Sequence, residues 1–191
     1  MNLPNKLSVL RICLIPVFVL LFFLTALPYN YVWAAAVFAI AAVTDFLDGR
    51  IARKRGLVTN LGKFLDPIAD KVLVSTAFVL MLTEHEIFGL FYVAGAVCVC
   101  LILARELIIS AFRQIAAANG VVLAADMLGK LKTNAQDYCV VVLIASAAFS
   151  GTVQTVLCIV GLVLFAAAAV LTVLSGVSYI AKNPDVLKTE K

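Results

Sequence analysis

The stretch Asp45–Lys71, D-F-L-D-G-R-I-A-R-K-R-G-L-V-T-N-L-G-K-F-L-D-P-I-A-D-K, decides how the rest of the chain is read. It holds four aspartates among mostly apolar surroundings. Asp45 and Asp48 are three residues apart and Asp66 and Asp70 four, so each pair shares one face if its segment is helical. Two such helices joined through Gly56–Gly62 bring the four carboxylates together. Like charges crowded in an apolar setting need counter-charge to stay ionised. A divalent metal is the obvious neutraliser.

The 191 residues are 64% hydrophobic and 14% charged, with a mean hydropathy of +1.10. A soluble domain of this length does not need so much apolar surface, so the composition predicts an all-α, polytopic membrane protein. No second domain or internal repeat is visible, and residues 1–191 read as one membrane domain. The first apolar run is followed by Pro28, Tyr29 and Asn30 rather than a small-residue cleavage site, and reads as a retained span. Cys13, Cys98, Cys100, Cys139 and Cys158 all fall within apolar runs and read as packing residues. His85, the only histidine, reads as part of a solvated linker.

Crossing a bilayer takes about 20 apolar residues. Six spans meet that need, at roughly 8–27, 31–53, 66–83, 87–112, 134–150 and 153–180 of the sequence. All fifteen Lys and Arg lie at the N-terminus, at the C-terminus, or beside the connections 54–65 and 113–133. The excess of positive charge on one side places both termini and both long connections in the cytoplasm. Asn5 reads as a cap for a helix starting at Lys6, and the opening segment as either a topology anchor or a ligand contact.

This topology puts Asp45 and Asp48 at the cytoplasmic end of the second span. Asp66 and Asp70 then open the third, with Pro67 in its first turn. A site at that depth holds a lipid head group while the acyl chains stay in the bilayer. Gly49, Ala52 and Gly62 allow close backbone approach, and Arg53, Lys54 and Arg55 supply charge suited to phosphate, although Lys54 and Arg55 also suit simple anchoring. Together these features suggest Mg²⁺-assisted phosphoryl chemistry with two metals clamping the attacking and leaving oxygens.

The pattern D-x-x-D-G-x-x-A-R, eight residues, then G-x-x-x-D-x-x-x-D resembles the signature of the CDP-alcohol phosphatidyltransferase family. It is matched here by Asp45, Asp48, Gly49, Ala52, Arg53, Gly62, Asp66 and Asp70 without departure. The resemblance implies two Mg²⁺ or Mn²⁺ ions held by the four aspartates, with Asp70 also the general base. It further implies CDP-diacylglycerol contacts from Gly49, Ala52, Arg53, Gly62 and Thr59, and a homodimer in the bacterial cytoplasmic (inner) membrane, its active site facing the cytoplasm. No nucleic-acid partner is implied.

Three further segments are similar to the bacterial phosphatidylglycerophosphate synthase branch: N-L-P-N-K-L-S-V-L-R at 2–11, R-E-L-I-I-S-A-F-R at 105–113 and G-K-L-K-T-N-A-Q at 129–136. That branch implies glycerol 3-phosphate as acceptor, and a pocket of Arg105, Arg113, Lys130 and Lys132 suits such a dianion. Arg113, Lys130 and Lys132 also suit topology anchoring. Arg105 lies inside an apolar run, where an arginine marks a functional site or pairs with Glu106 or Asp137. Inositol phosphate, phosphatidylglycerol and serine are rival acceptors. A different class, an ion or proton carrier, fits less well, because carriers place ionisable groups near mid-membrane and these lie at one side.

Overall fold

In a computed structural model, the backbone is described at residues 3–55, 60–119, 121 and 127–187, and side chains at 5–44, 65, 68–85, 87–119, 121, 127–184 and 186. Every regular element among them is helical. The six long helices are α1 (Leu3–Phe23), α2 (Asn30–Arg55), α3 (Asn60–Met81), α5 (Tyr92–Ala118), α6 (Met127–Ser146) and α7 (Gly151–Ala181). A four-residue helix, α4 (His85–Phe88), and a 3₁₀ turn, Gly89–Phe91, lead into α5.

Among the described residues, three stretches are long and apolar enough to cross a membrane: Asn5–Phe23, Gly89–Ala118 and Gly151–Ala181. A shorter apolar stretch covers Asn30–Thr44. Their outward faces are as apolar as their inward ones: Leu20, Val93, Val163 and Val177 are each more than 60% exposed. Helices that are hydrophobic all round belong in lipid, and these are the helices of a membrane protein.

The α1–α2 hairpin is closed by a buried side chain. Asn30 Nδ2 donates to the Phe22 carbonyl at 2.8 Å, satisfying a carbonyl that the end of α1 leaves open. The turn also places Tyr29 at φ 56°, a left-handed conformation rare outside glycine. Past it the helices run antiparallel, with Phe22 against Tyr31 (5.2 Å between ring centroids) and Phe18 against Phe38 (5.8 Å). A second aromatic group joins α3, α4 and α7, where Phe165 meets Phe78 at 5.9 Å and Phe88 at 5.2 Å. The core is continuous across these helices and includes Ala77, Met81, Leu143 and Ile144. Phe88 can lie flat against α5 because position 95 is glycine: a Cβ there would come within 2.6 Å of its ring.

Several helix ends differ from the sequence expectation. α1 starts at Leu3, so Asn5 is an interior residue, 5% exposed, and not a cap. The expected connection at 54–65 is mostly helix: α2 runs to Arg55 and α3 begins at Asn60. Gly62 is therefore helical, and Pro67 is the eighth residue of α3 rather than in its first turn. Proline there leaves one backbone carbonyl without its helical donor, and the helix continues because the apolar face beyond it packs into the core. The connection expected at 113–133 shrinks likewise, with α5 reaching Ala118 and α6 starting at Met127. His85 is exposed, as a solvated linker requires, and its ring also lies 4.3 Å from that of Tyr92. The five cysteines are free thiols, and Cys139 is fully buried.

α6 and α7 pack closely where Gly161 faces Leu143; a Cβ at 161 would sit 2.6 Å from Leu143 Cδ2. Gly161→Val is expected to lower stability by about 1–3 kcal/mol through overpacking. Gly129→Ala, with open space around the new Cβ, is expected to leave stability unchanged or slightly higher. Thermal unfolding of both variants in detergent checks the contrast.

Candidate functional site

The polar residues gather at one end of the bundle. There the first half of α3, the second half of α5, the start of α6 and the end of α7 come together. Asp45 and Asp48 both lie on helix α2, and Asp66 and Asp70 both on α3. Each acid pair thus has the helical spacing that puts its members on one face. The side chains of Asp45, Asp48, Gly49, Ala52, Arg53, Gly62 and Asp66, and all of Thr59, lie outside the described residues. Asp70 is half-buried and borders a small cavity shared with Lys71, Glu106, Lys132, Thr133 and Gln136.

Across the cavity from α3, the cations predicted from sequence are organised by a carboxylate. Glu106 on α5 accepts a hydrogen bond from Lys132 Nζ on α6, and from Arg105 Nη1 at 3.5 Å. Lys132 is only 5% exposed. An ammonium so deeply buried needs an opposite charge in contact, and Glu106 supplies it. Arg105 also reaches α7, where Nη2 donates to Ser175 Oγ at 2.9 Å. Position 176 is glycine for that reason: a Cβ there would lie 3.0 Å from Arg105 Cγ and 3.2 Å from Nε.

Arg113, two turns along α5, makes its own contact with α7. Its Nε donates to the Tyr179 hydroxyl at 2.9 Å, and its Cζ lies 5.3 Å from the Tyr179 ring centroid. Tyr179 is held by Phe112, Ile109, Ala116 and Val186, a second apolar cluster beside the main core. Arg105 and Lys132 are therefore brought together, Arg113 stands apart on its own aromatic support, and Lys130 is exposed.

Sequence reasoning placed Glu106 only as a rival partner for Arg105 and did not single out Gln136, Ser175, Gly176 or Tyr179. The signal for Ser175 and Tyr179 was a short polar stripe, Thr172, Ser175 and Tyr179, at helical spacing on the otherwise apolar α7. Gln136, one turn from Lys132, lies within the segment 129–136 and has no local signal of its own.

The donor set suits a hard cation. Carboxylate oxygens are the ligands Mg²⁺ and Mn²⁺ prefer, and the acids sit in i, i+3 and i, i+4 pairs on two helices with half-buried Asp70 at the small cavity.

The chain matches the model of the CDP-alcohol phosphatidyltransferase family over residues 1–176. It is 38% identical to a CDP-diacylglycerol–glycerol-3-phosphate 3-phosphatidyltransferase of Bacillus subtilis, with 98% of each chain covered. A protein of that name from Rickettsia typhi is 39% identical over 93% of this chain and 94% of its own length. Another, from Shigella flexneri, is 40% identical over 97% of each. With a family match over most of its length and relatives aligned nearly end to end, the chain belongs to the CDP-alcohol phosphatidyltransferase family.

Proposed function

We propose that this protein transfers the phosphatidyl group of CDP-diacylglycerol to glycerol 3-phosphate, releasing CMP and forming phosphatidylglycerophosphate. The observation that carries the acceptor is the cation group on α5 and α6: Arg105 and Lys132 gathered around Glu106, with Arg113 two turns away. The relatives' names point to the same two substrates. The protein works as a single domain over residues 1–191, with six spans, both termini and the site on the cytoplasmic side of a bacterial inner membrane, as a homodimer. The run of Lys and Arg along the chain supports that orientation.

Asp45, Asp48, Asp66 and Asp70 are the residues that would hold two Mg²⁺ or Mn²⁺ ions, whose charge, when bound, offsets that of the diphosphate. Gly49, Ala52, Thr59 and Gly62 border the nucleotide end of CDP-diacylglycerol. Arg105, Arg113, Lys130 and Lys132 receive the phosphate of the acceptor, the buried pair with Glu106 behind it and exposed Lys130 at the entrance. Asp70 takes the proton of the acceptor's C1 hydroxyl. The oxygen attacks the phosphatidyl phosphorus in line; the new P–O bond forms as the bond to CMP breaks, and Arg53 takes up charge on the departing phosphate.

The direct test follows CMP release from CDP-diacylglycerol by purified protein with Mg²⁺ and a panel of alcohols. Glycerol 3-phosphate is expected to support turnover; turnover only with inositol phosphate, phosphatidylglycerol or serine would move the acceptor assignment and keep the family. Asp70→Asn is expected to lower turnover by about 10²–10⁴-fold with circular dichroism unchanged, and full activity would remove Asp70 as base. Arg113→Ala is expected to raise KM for glycerol 3-phosphate about tenfold, the worth of a charged hydrogen bond. KM for CDP-diacylglycerol should stay as it is, and an equal rise in both constants would make Arg113 a structural residue.

A further inference from the structure

Gln136 is the polar residue at this end of the bundle whose presence packing does not explain. It is 2% exposed, and among the described residues its Nε2 has no hydrogen-bond partner. Leaving a buried amide donor unmade costs about 1–3 kcal/mol, and a methionine or leucine would fill the same volume without that cost. The side chain borders the cavity that also carries Asp70, Glu106, Lys132 and Thr133. That cavity measures about 20 Å³, room for one water-sized group. A single hydroxyl fits it.

The neighbouring groups decide which hydroxyl. Thr133 Oγ1 already donates to the Gly129 carbonyl at 3.1 Å, and Lys132 is engaged by Glu106. Ser75 also lines the cavity but is only half-buried, so Gln136 Nε2 is the buried neutral donor left open there, with Asp70 on the facing helix. The hydroxyl that attacks phosphorus needs its lone pair free, and an amide donor on that oxygen would weaken it as a nucleophile. An amide donor is suited instead to the hydroxyl next along the acceptor.

On the reading that glycerol 3-phosphate is the acceptor, we infer that Gln136 is a specificity-determining residue that donates to the C2 hydroxyl, beside the C1 hydroxyl that Asp70 deprotonates. An acceptor lacking the second hydroxyl leaves the buried donor unpaired and is disfavoured.

The experiment compares glycerol 3-phosphate with 3-hydroxypropyl phosphate, which lacks that hydroxyl, as acceptors for wild type and Gln136→Met, following CMP. Wild type is expected to favour glycerol 3-phosphate in kcat/KM by about tenfold or more. In Gln136→Met the preference should collapse toward unity, with KM for CDP-diacylglycerol and thermal stability in detergent both retained. An unchanged preference overturns the inference alone. A Gln136→Met protein that no longer folds also overturns it, since the amide would then be structural. Wild type that releases no CMP with glycerol 3-phosphate overturns the underlying reading, a result distinct from the other two.

Discussion

Glu106 is shared between a lysine and an arginine, and the polar end of the bundle depends on that arrangement. Lys132 is 5% exposed, and an unpaired ammonium at that depth would cost several kcal/mol. With Glu106 in contact, α5 and α6 can close on each other without excluding the charge. The same carboxylate steadies Arg105, which then reaches Ser175 on α7. One acid thus couples three helices that are otherwise held by apolar contact. Cut in isolation, each member would leave the others buried with a charge to offset.

The remainder of the molecule makes that concentration of charge tolerable. Aromatic contacts from Phe18, Phe38, Phe78 and Phe165 run through the apolar part of the bundle, and hydroxyls there turn back onto their own helices, as Thr172 does to the Ala168 carbonyl at 2.6 Å. Such back-bonding lets polar side chains sit in a hydrophobic helix without requiring a partner elsewhere. A scaffold that satisfies its own polar groups leaves the unsatisfied ones conspicuous, which is why Gln136 stands out.

Much of this was legible in the sequence, and for definite reasons. The helices follow from apolar runs of bilayer length. The acid pairs follow from i, i+3 and i, i+4 spacing, which needs no knowledge of tertiary packing. The pairing of Arg105 with Glu106 was foreseeable because an arginine in an apolar run must find a nearby carboxylate. Helix ends were not legible: hydropathy ends a segment where polar residues begin, yet α3 starts six residues before Asp66 and α6 starts well ahead of Lys132. Helical hydrogen bonding continues through polar residues at the membrane surface, where water satisfies their side chains. The second role of Glu106, as partner of Lys132, depends on a contact across 26 positions of sequence. No local pattern encodes such a pairing, and the same is true of Arg113 with Tyr179, 66 positions apart.

The partial neutralisation of the cations bears on which acceptor the site suits. In the proposed phosphate pocket Glu106 looks like a handicap, since it cancels part of the attraction. Its effect is better understood as a matter of balance. Arg105, Arg113, Lys130 and Lys132 carry four positive charges and Glu106 one negative, so positive charge is left over for a phosphate dianion. Burial disfavours the charged form of Lys132 and the Glu106 carboxylate opposes that, so the acid helps to keep the charge it partly offsets. A neutral acceptor such as serine has no use for that surplus, and would meet desolvated cations without the charge to offset them. On the proposed reading, the arrangement favours an acceptor that brings its own phosphate.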